Sequence, residues 1–211
     1  LCDLDGANGR LAYRGYNLDA LARQATFEEV AYLLWHGELP PRARLERFIA
    51  ELYAARPIPE PVVAAFRLLP KDVDPMRALQ LSATLLGAFD PDAAENSGAA
   101  NLRKAARLTS QLATAICAHH RVRLGKEPVP PSPEMGHAAN FLFMLTGERP
   151  STVNARAFDA SLILYAEHEL NASTFTTRVI ASTLSDMHSA IAGAIGAMKG
   201  PLHGGAGEAV M

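Results

Sequence analysis

From Asn17 onward the apolar residues recur at spacings of three and four between capping and breaking signals, and no stretch alternates as a strand would. A chain patterned this way buries its apolar stripes by packing helix on helix. It offers no β–α alternation from which a parallel sheet could be built. The expected class is all-α, with about eight to ten helices. Residues 3–16 alone depart from the pattern. There Asp5-Gly6 and Asn8-Gly9 are turn dipeptides and Leu11-Ala12-Tyr13 follows with short alternation, which predicts a small N-terminal β-hairpin.

Several helix boundaries can be read directly. Thr26-Phe27-Glu28-Glu29 is a capping box, and the helix it opens runs to about His36 with Gly37 closing it. Pro40-Pro41 opens a segment with Leu45, Phe48, Ile49 and Leu52 on one face; Pro57, Pro59 and Pro61 break it. A short helix follows to Pro70. Asp74-Pro75 caps the next, and a long helix covers about 99–121 after a polar loop at 90–98. Beyond the Pro-rich stretch 125–133, helices are expected over 134–145, from Ser151 to about Glu169, from near Ser173 to about Leu184, and from a Ser185 or Asp186 cap to Lys199. The last is lined with Ala190, Ala192, Gly193, Ala194, Gly196 and Ala197. Such small residues permit close backbone approach, either in a tight core or at a helix–helix subunit interface.

The 211 residues, 49% apolar and 20% charged, suffice for one domain or two with a buried core. Lys plus Arg number 20 against 22 Asp plus Glu, so there is no electrostatic reason to expect nucleic acid or an anionic membrane as partner. Cys2 and Cys117 lie far apart in no CxxC, which argues against a disulfide scaffold or a cysteine zinc site and fits a reducing compartment. No apolar run has the length of a membrane span, and residues 1–20 lack a basic-then-apolar signal, so a cytoplasmic location is expected. Residue 1 is Leu, and residues 204–211 stop where a helix start is signalled; a fragment of a longer protein is expected.

No P-loop, GxSxG elbow or HExxH is present. Of the seven histidines, His36, His119 and His120 sit at expected helix ends, where a basic group suits the dipole, and His137 and His188 have no distinguishing context. His168 and His203 differ. His168 opens His168-Glu169-Leu170-Asn171-Ala172-Ser173-Thr174, which gathers imidazole, amide and hydroxyl where one helix ends and the next starts. A plain Asn/Ser cap explains the same residues as well. His203 lies in Gly200-Pro201-Leu202-His203-Gly204-Gly205, where glycines leave room beside the ring. A neutral imidazole there can donate an N–H to a carbonyl oxygen during enolisation.

These residues carry a resemblance. HELNASTF at 168–175 and GPLHGGAGE at 200–208 together resemble the citrate synthase family, which includes 2-methylcitrate synthase. The opening Asp5-Gly6 through Arg10-Leu11-Ala12-Tyr13-Arg14-Gly15-Tyr16, FEEVAYLLWHGELP and NFLFMLTGERP are similar to the same family, so the likeness covers essentially the whole chain. It implies mostly helical homodimers of large and small domains that condense acetyl-CoA with oxaloacetate and hydrolyse the thioester, with no metal and no permanently bound cofactor. His203 matches the histidine that hydrogen-bonds the thioester carbonyl, and His168 a histidine that binds oxaloacetate. Asn171 and Ser173 match positions near that site, the serine supporting the catalytic histidine.

The likeness further implies that residues 1–211 are the N-terminal part of the large domain, with the small domain beginning near residue 204. The family's catalytic Asp, second catalytic His and carboxylate-clamping arginines then lie beyond 211. The isolated chain is expected to have no synthase activity, because no base is within reach. Gly207 stands where many relatives carry Asn. The dimer surface is expected on the helices around 99–121, 134–145, 177–185 and 188–199. Two alternatives remain: a 2-methylcitrate synthase using propionyl-CoA, a discrimination worth about 1–3 kcal/mol in an apolar pocket, and a non-catalytic helical dimerisation module.

Overall fold

The computed structural model describes residues 1–205, so residues 206–211 of the terminal segment expected to open a helix, Gly207 among them, lie outside the described residues. Strands β1 (Cys2–Asp5), β2 (Arg10–Tyr13) and β3 (Tyr16–Asn17) are followed by ten helices among the described residues. These are α1 (Leu18–Gln24), α2 (Phe27–His36), α3 (Arg42–Ala54), α4 (Glu60–Leu68), α5 (Pro75–Phe89), α6 (Gly98–Arg123), α7 (His137–Thr146), α8 (Thr152–Leu164), α9 (Ala172–Ser182) and α10 (Met187–Met198). The class is all-α with a small sheet. The expected hairpin is present as β1 and β2, in the register Cys2↔Tyr13 to Asp5↔Arg10. A third strand extends it through the Arg14-Gly15 turn, in which both residues have positive φ, as a two-residue hairpin turn requires.

Two compact units are formed: Leu1–Ala54 with Pro130–Glu169, and Ala55–Val129 with Leu170 onward. In the first, Tyr13, Leu21, Val30, Leu33 and Ile163 form a buried cluster that joins the sheet to α1, α2 and α8. Arg156 of α8 donates to the terminal carbonyls of α1, at Ala25 (2.9 Å) and Ala22 (2.6 Å), while Asp159 accepts from the Phe27 N–H that opens α2. These bonds satisfy helix-end groups that α1 and α2 cannot satisfy themselves. The capping box at Thr26 and Glu29 is complete, and α2 ends at Gly37.

Two expected boundaries shift for tertiary reasons. Helix α7 starts at His137 rather than 134, where the His137 N–H meets the buried Glu28 carboxylate at 2.7 Å; a side chain from α2 thus supplies the cap that Gly136 lacks. Helix α8 stops at Leu164 rather than near Glu169, where the Tyr13 hydroxyl takes its last carbonyls.

In the second unit, Val62, Phe66, Ala78, Leu86, Ala115 and Ala118 make one cluster, and Ala83, Ala192 and Ile195 another. Within this unit the small residues of α10 serve close packing. A Cβ on Gly193 would fall 2.3 Å from Ile180 Cδ1 of α9, and Gln80 of α5 donates to the Ala192 carbonyl at 3.0 Å. The two helices on either side thus approach α10 where only hydrogen or methyl side chains fit.

Candidate functional site

Asn171 caps α9. Its Oδ1 accepts from the Thr174 N–H at 2.9 Å and from the Ser173 hydroxyl at 2.7 Å. Helices α9 and α10 then pack together, and the turn after α10 returns the chain to the start of α9. That turn is held by His203 N–H to Gly200 O (3.0 Å) and Gly205 N–H to Gly200 O (3.2 Å). The His203 Nε2 lies 3.1 Å from Ser173 Oγ across thirty positions of sequence. Ser173 is buried and His203 half-buried, so the ring is anchored on one edge without being sealed in apolar packing. Its Nδ1 takes no hydrogen bond among the described residues.

The proton count along this chain is restrictive. Asn171 presents its oxygen, because that atom meets a backbone N–H. The single Ser173 proton can go to Asn171 or to His203, not both. While it goes to Asn171, Ser173 can only accept, and His203 Nε2 carries the N–H. When the hydroxyl turns to donate to Nε2, a neutral ring carries its proton on Nδ1, the nitrogen without a partner among the described residues. The assembly can therefore hold an uncharged imidazole in either tautomer.

Three of the four residues marked by the sequence, His203, Ser173 and Asn171, are thus brought together. His168 stands in the first unit, just past α8. It is exposed, and its ring makes no hydrogen bond among the described residues. Three histidines that the sequence did not single out, His119, His137 and His188, prove to be buried. His119 lies edge-on to Phe66 with centroids 5.5 Å apart, and burial, with Arg123 and His120 nearby, lowers its pKa.

His188 belongs to a larger charged cluster that sequence reading missed. Its Nε2 is 3.3 Å from Asp90 Oδ2 and its Nδ1 3.8 Å from Asp186. Arg107 holds Asp90 by two bonds of 2.8 and 2.6 Å and reaches Asp92 at 2.6 Å, while Arg103 takes Asp92 at 3.0 and 2.6 Å. The signal was present: Arg103 and Arg107 are spaced i,i+4 on α6, opposite the acidic loop after α5. Burial lowers the His188 pKa, Lys104 and Arg107 add to this, and Asp90 and Asp186 offset it only in part. A cleft of about 380 Å³ opens on His188, Asp186, Ser189 and Thr84 rather than on His203.

No helix among the described residues is long and apolar enough to cross a membrane. The family model described as "Citrate synthase, C-terminal domain" matches residues 1–211. A protein named citrate synthase 2 from Bacillus subtilis is 47% identical over 202 residues, 95% of this chain and 54% of the relative. A 2-methylcitrate synthase from Mycobacterium tuberculosis is 47% identical over 201 residues, 95% of this chain and 51% of the relative. Among solved structures, a ternary complex of citrate synthase from Thermoplasma acidophilum with carboxymethyl coenzyme A and oxaloacetate superposes with a TM-score of 0.93 at 33% identity, covering 99% of this chain and 55% of that one. The chain spans about half the length of the relatives it matches. With the helical architecture, this similarity along its whole length establishes that the chain belongs to the citrate synthase family.

Proposed function

We propose that the protein carrying this chain is an acyltransferase that condenses acetyl-CoA with oxaloacetate and releases citrate and CoA. The observation that carries the reading is the hydrogen-bond chain His203–Ser173–Asn171. Enolisation of a thioester needs a donor aimed at the carbonyl oxygen as negative charge develops there. An uncharged imidazole braced at Nε2 by Ser173 can present Nδ1–H to that oxygen. A base then removes a methyl proton, and the enol carbon attacks the oxaloacetate ketone, whose oxygen becomes the hydroxyl of the product. Water finally cleaves the thioester. His168 is assigned to oxaloacetate, and the base to a segment beyond residue 211. Closure of a second domain would exclude water from the enol.

Residues 1–211 are read as the N-terminal part of the large domain, in a cytoplasmic homodimer. Exposed Phe175 and Val179, four positions apart on α9, support a partner on that face. The solved complex with oxaloacetate and a coenzyme A derivative supports the substrate pair.

The test is release of CoA thiol by the full-length protein, given oxaloacetate with acetyl-CoA or propionyl-CoA. Turnover with acetyl-CoA is expected. Preference for propionyl-CoA would make the protein a 2-methylcitrate synthase, and no turnover with either would leave a helical dimerisation module. Ser173→Ala, which removes the brace without touching the ring, is expected to lower kcat about tenfold, the worth of one hydrogen bond in the transition state. An unchanged kcat would remove Ser173 from the mechanism.

A further inference from the structure

Tyr13 is fully buried in the first unit, yet its hydroxyl is surrounded by backbone polar groups from a segment 150 positions away. The phenol oxygen lies 3.1 Å from the Ile163 carbonyl, 3.2 Å from that of Leu164 and 3.1 Å from that of Glu167, and it accepts from the Glu167 N–H at 3.3 Å. Burial raises the phenol pKa, so the group remains a neutral donor and acceptor. The single phenol proton is shared among these carbonyls while the oxygen accepts from Glu167, so one hydroxyl ties the end of α8 to the backbone of Glu167. The Glu167 carboxylate continues the constraint: its Oε1 accepts from the Glu169 N–H at 3.0 Å, and Glu169 is held at φ +57, a conformation a non-glycine residue keeps only where its surroundings impose it. His168 sits between these two clamps. Its ring is exposed and has no hydrogen bond of its own among the described residues, so the held backbone sets the Cα–Cβ direction from which the imidazole reaches out and limits the rotamers open to it.

We infer that Tyr13 is a positioning residue for His168. The N-terminal sheet, through the Tyr13 hydroxyl and the Glu167 turn, sets the aim of the imidazole at the oxo-acid substrate. This rests on the assignment of His168 to oxaloacetate and extends it to a residue with no direct contact to substrate. Tyr13 is placed for this by its pairing with Cys2 in β1 and Tyr16 in β3, which leaves its ring in the cluster with Leu21, Val30 and Ile163.

The test is a double-mutant cycle in the full-length protein, with KM for oxaloacetate as the readout. Tyr13→Phe keeps the buried ring and deletes only the hydroxyl. It is expected to raise KM about tenfold, on the order of one hydrogen bond of aim, with kcat changed much less. Loss of folded protein lowers apparent kcat and leaves KM alone, so a merely structural role would not produce this split. In a His168→Ala background the same substitution is expected to add nothing to KM. An unchanged KM in Tyr13→Phe, or an effect that adds in full to that of His168→Ala, overturns the inference while leaving His168 in its role. No KM effect of His168→Ala overturns the assignment of His168 itself, and the inference with it.

Discussion

Replacing His203 with alanine in the full-length protein is expected to lower kcat about 10²–10³-fold, the usual loss when one preorganised donor to a developing oxyanion is removed. Stability should move by no more than about 1 kcal/mol, since the ring is half-buried and loses a single hydrogen bond to Ser173. The separation of these effects is the informative part. A side chain kept for packing would show the reverse, with the melting temperature falling and turnover per folded molecule unchanged. CoA release kinetics alongside thermal melts of both proteins make the comparison. KM for oxaloacetate is expected to stay close to its original value, because in the proposed role the donor acts on the acyl partner as charge develops.

The second large effect is on folding. Asp90→Ala removes the carboxylate facing both Arg107 and His188, whose side chain is only 2% exposed, as is that of Asp90. Breaking such a pair from one side is expected to cost about 3 kcal/mol, at the lower end of the usual range because Arg107 retains Asp92. Urea unfolding should report this as a lower midpoint at unchanged slope.

The same cluster gives the pH dependence. Burial would raise the Asp90 pKa, but the paired bonds from Arg107 and the Asp92 N–H overcome it and hold the carboxyl below its usual range. His188 is also lowered, chiefly by burial. Both groups thus bind protons less tightly folded than unfolded. The contribution of His188 is full above its ordinary value of about 6.5 and is lost as pH falls through the lower folded value. That of Asp90 is full above about 3.9 and is lost in stronger acid. His188→Gln is expected to reduce the fall in unfolding midpoint below pH about 6.5, the remainder coming from His119 and His120, whose pKa values are also lowered by burial. A midpoint that falls as steeply as in the unmodified protein would place the titration elsewhere.

Local signals carried most of the helix map. The Thr26–Glu29 capping box and the Asp74-Pro75 start each depend on residues within one turn, and both are found where the sequence puts them. What escaped depends on distant partners. Nothing near Glu134 announces that Glu28 will cap α7 at His137, and nothing near Leu164 announces that Tyr13 will close α8. The site divides in the same way. Asn171 and Ser173 are legible as cap residues, and His203 as a ring among glycines. Their meeting is set by the packing of α9 on α10, which follows from the small residues of α10 but cannot be placed by spacing alone. For the Asp90–Arg107–His188 cluster the i,i+4 arginines and the acidic loop were visible, but their meeting with His188 joins three separate segments and could not be read locally.

The most direct measurement on His203 isolates enolisation from condensation. Acetyl-CoA deuterated at the methyl group is incubated with full-length protein and an oxaloacetate analogue whose ketone is reduced to an alcohol, so that no carbon–carbon bond can form. Loss of methyl deuterium to solvent is then followed by NMR. With His203 polarising the thioester carbonyl, the unmodified protein is expected to catalyse washout and His203→Ala to slow it about 10²–10³-fold. Washout at an undiminished rate in His203→Ala would contradict the account.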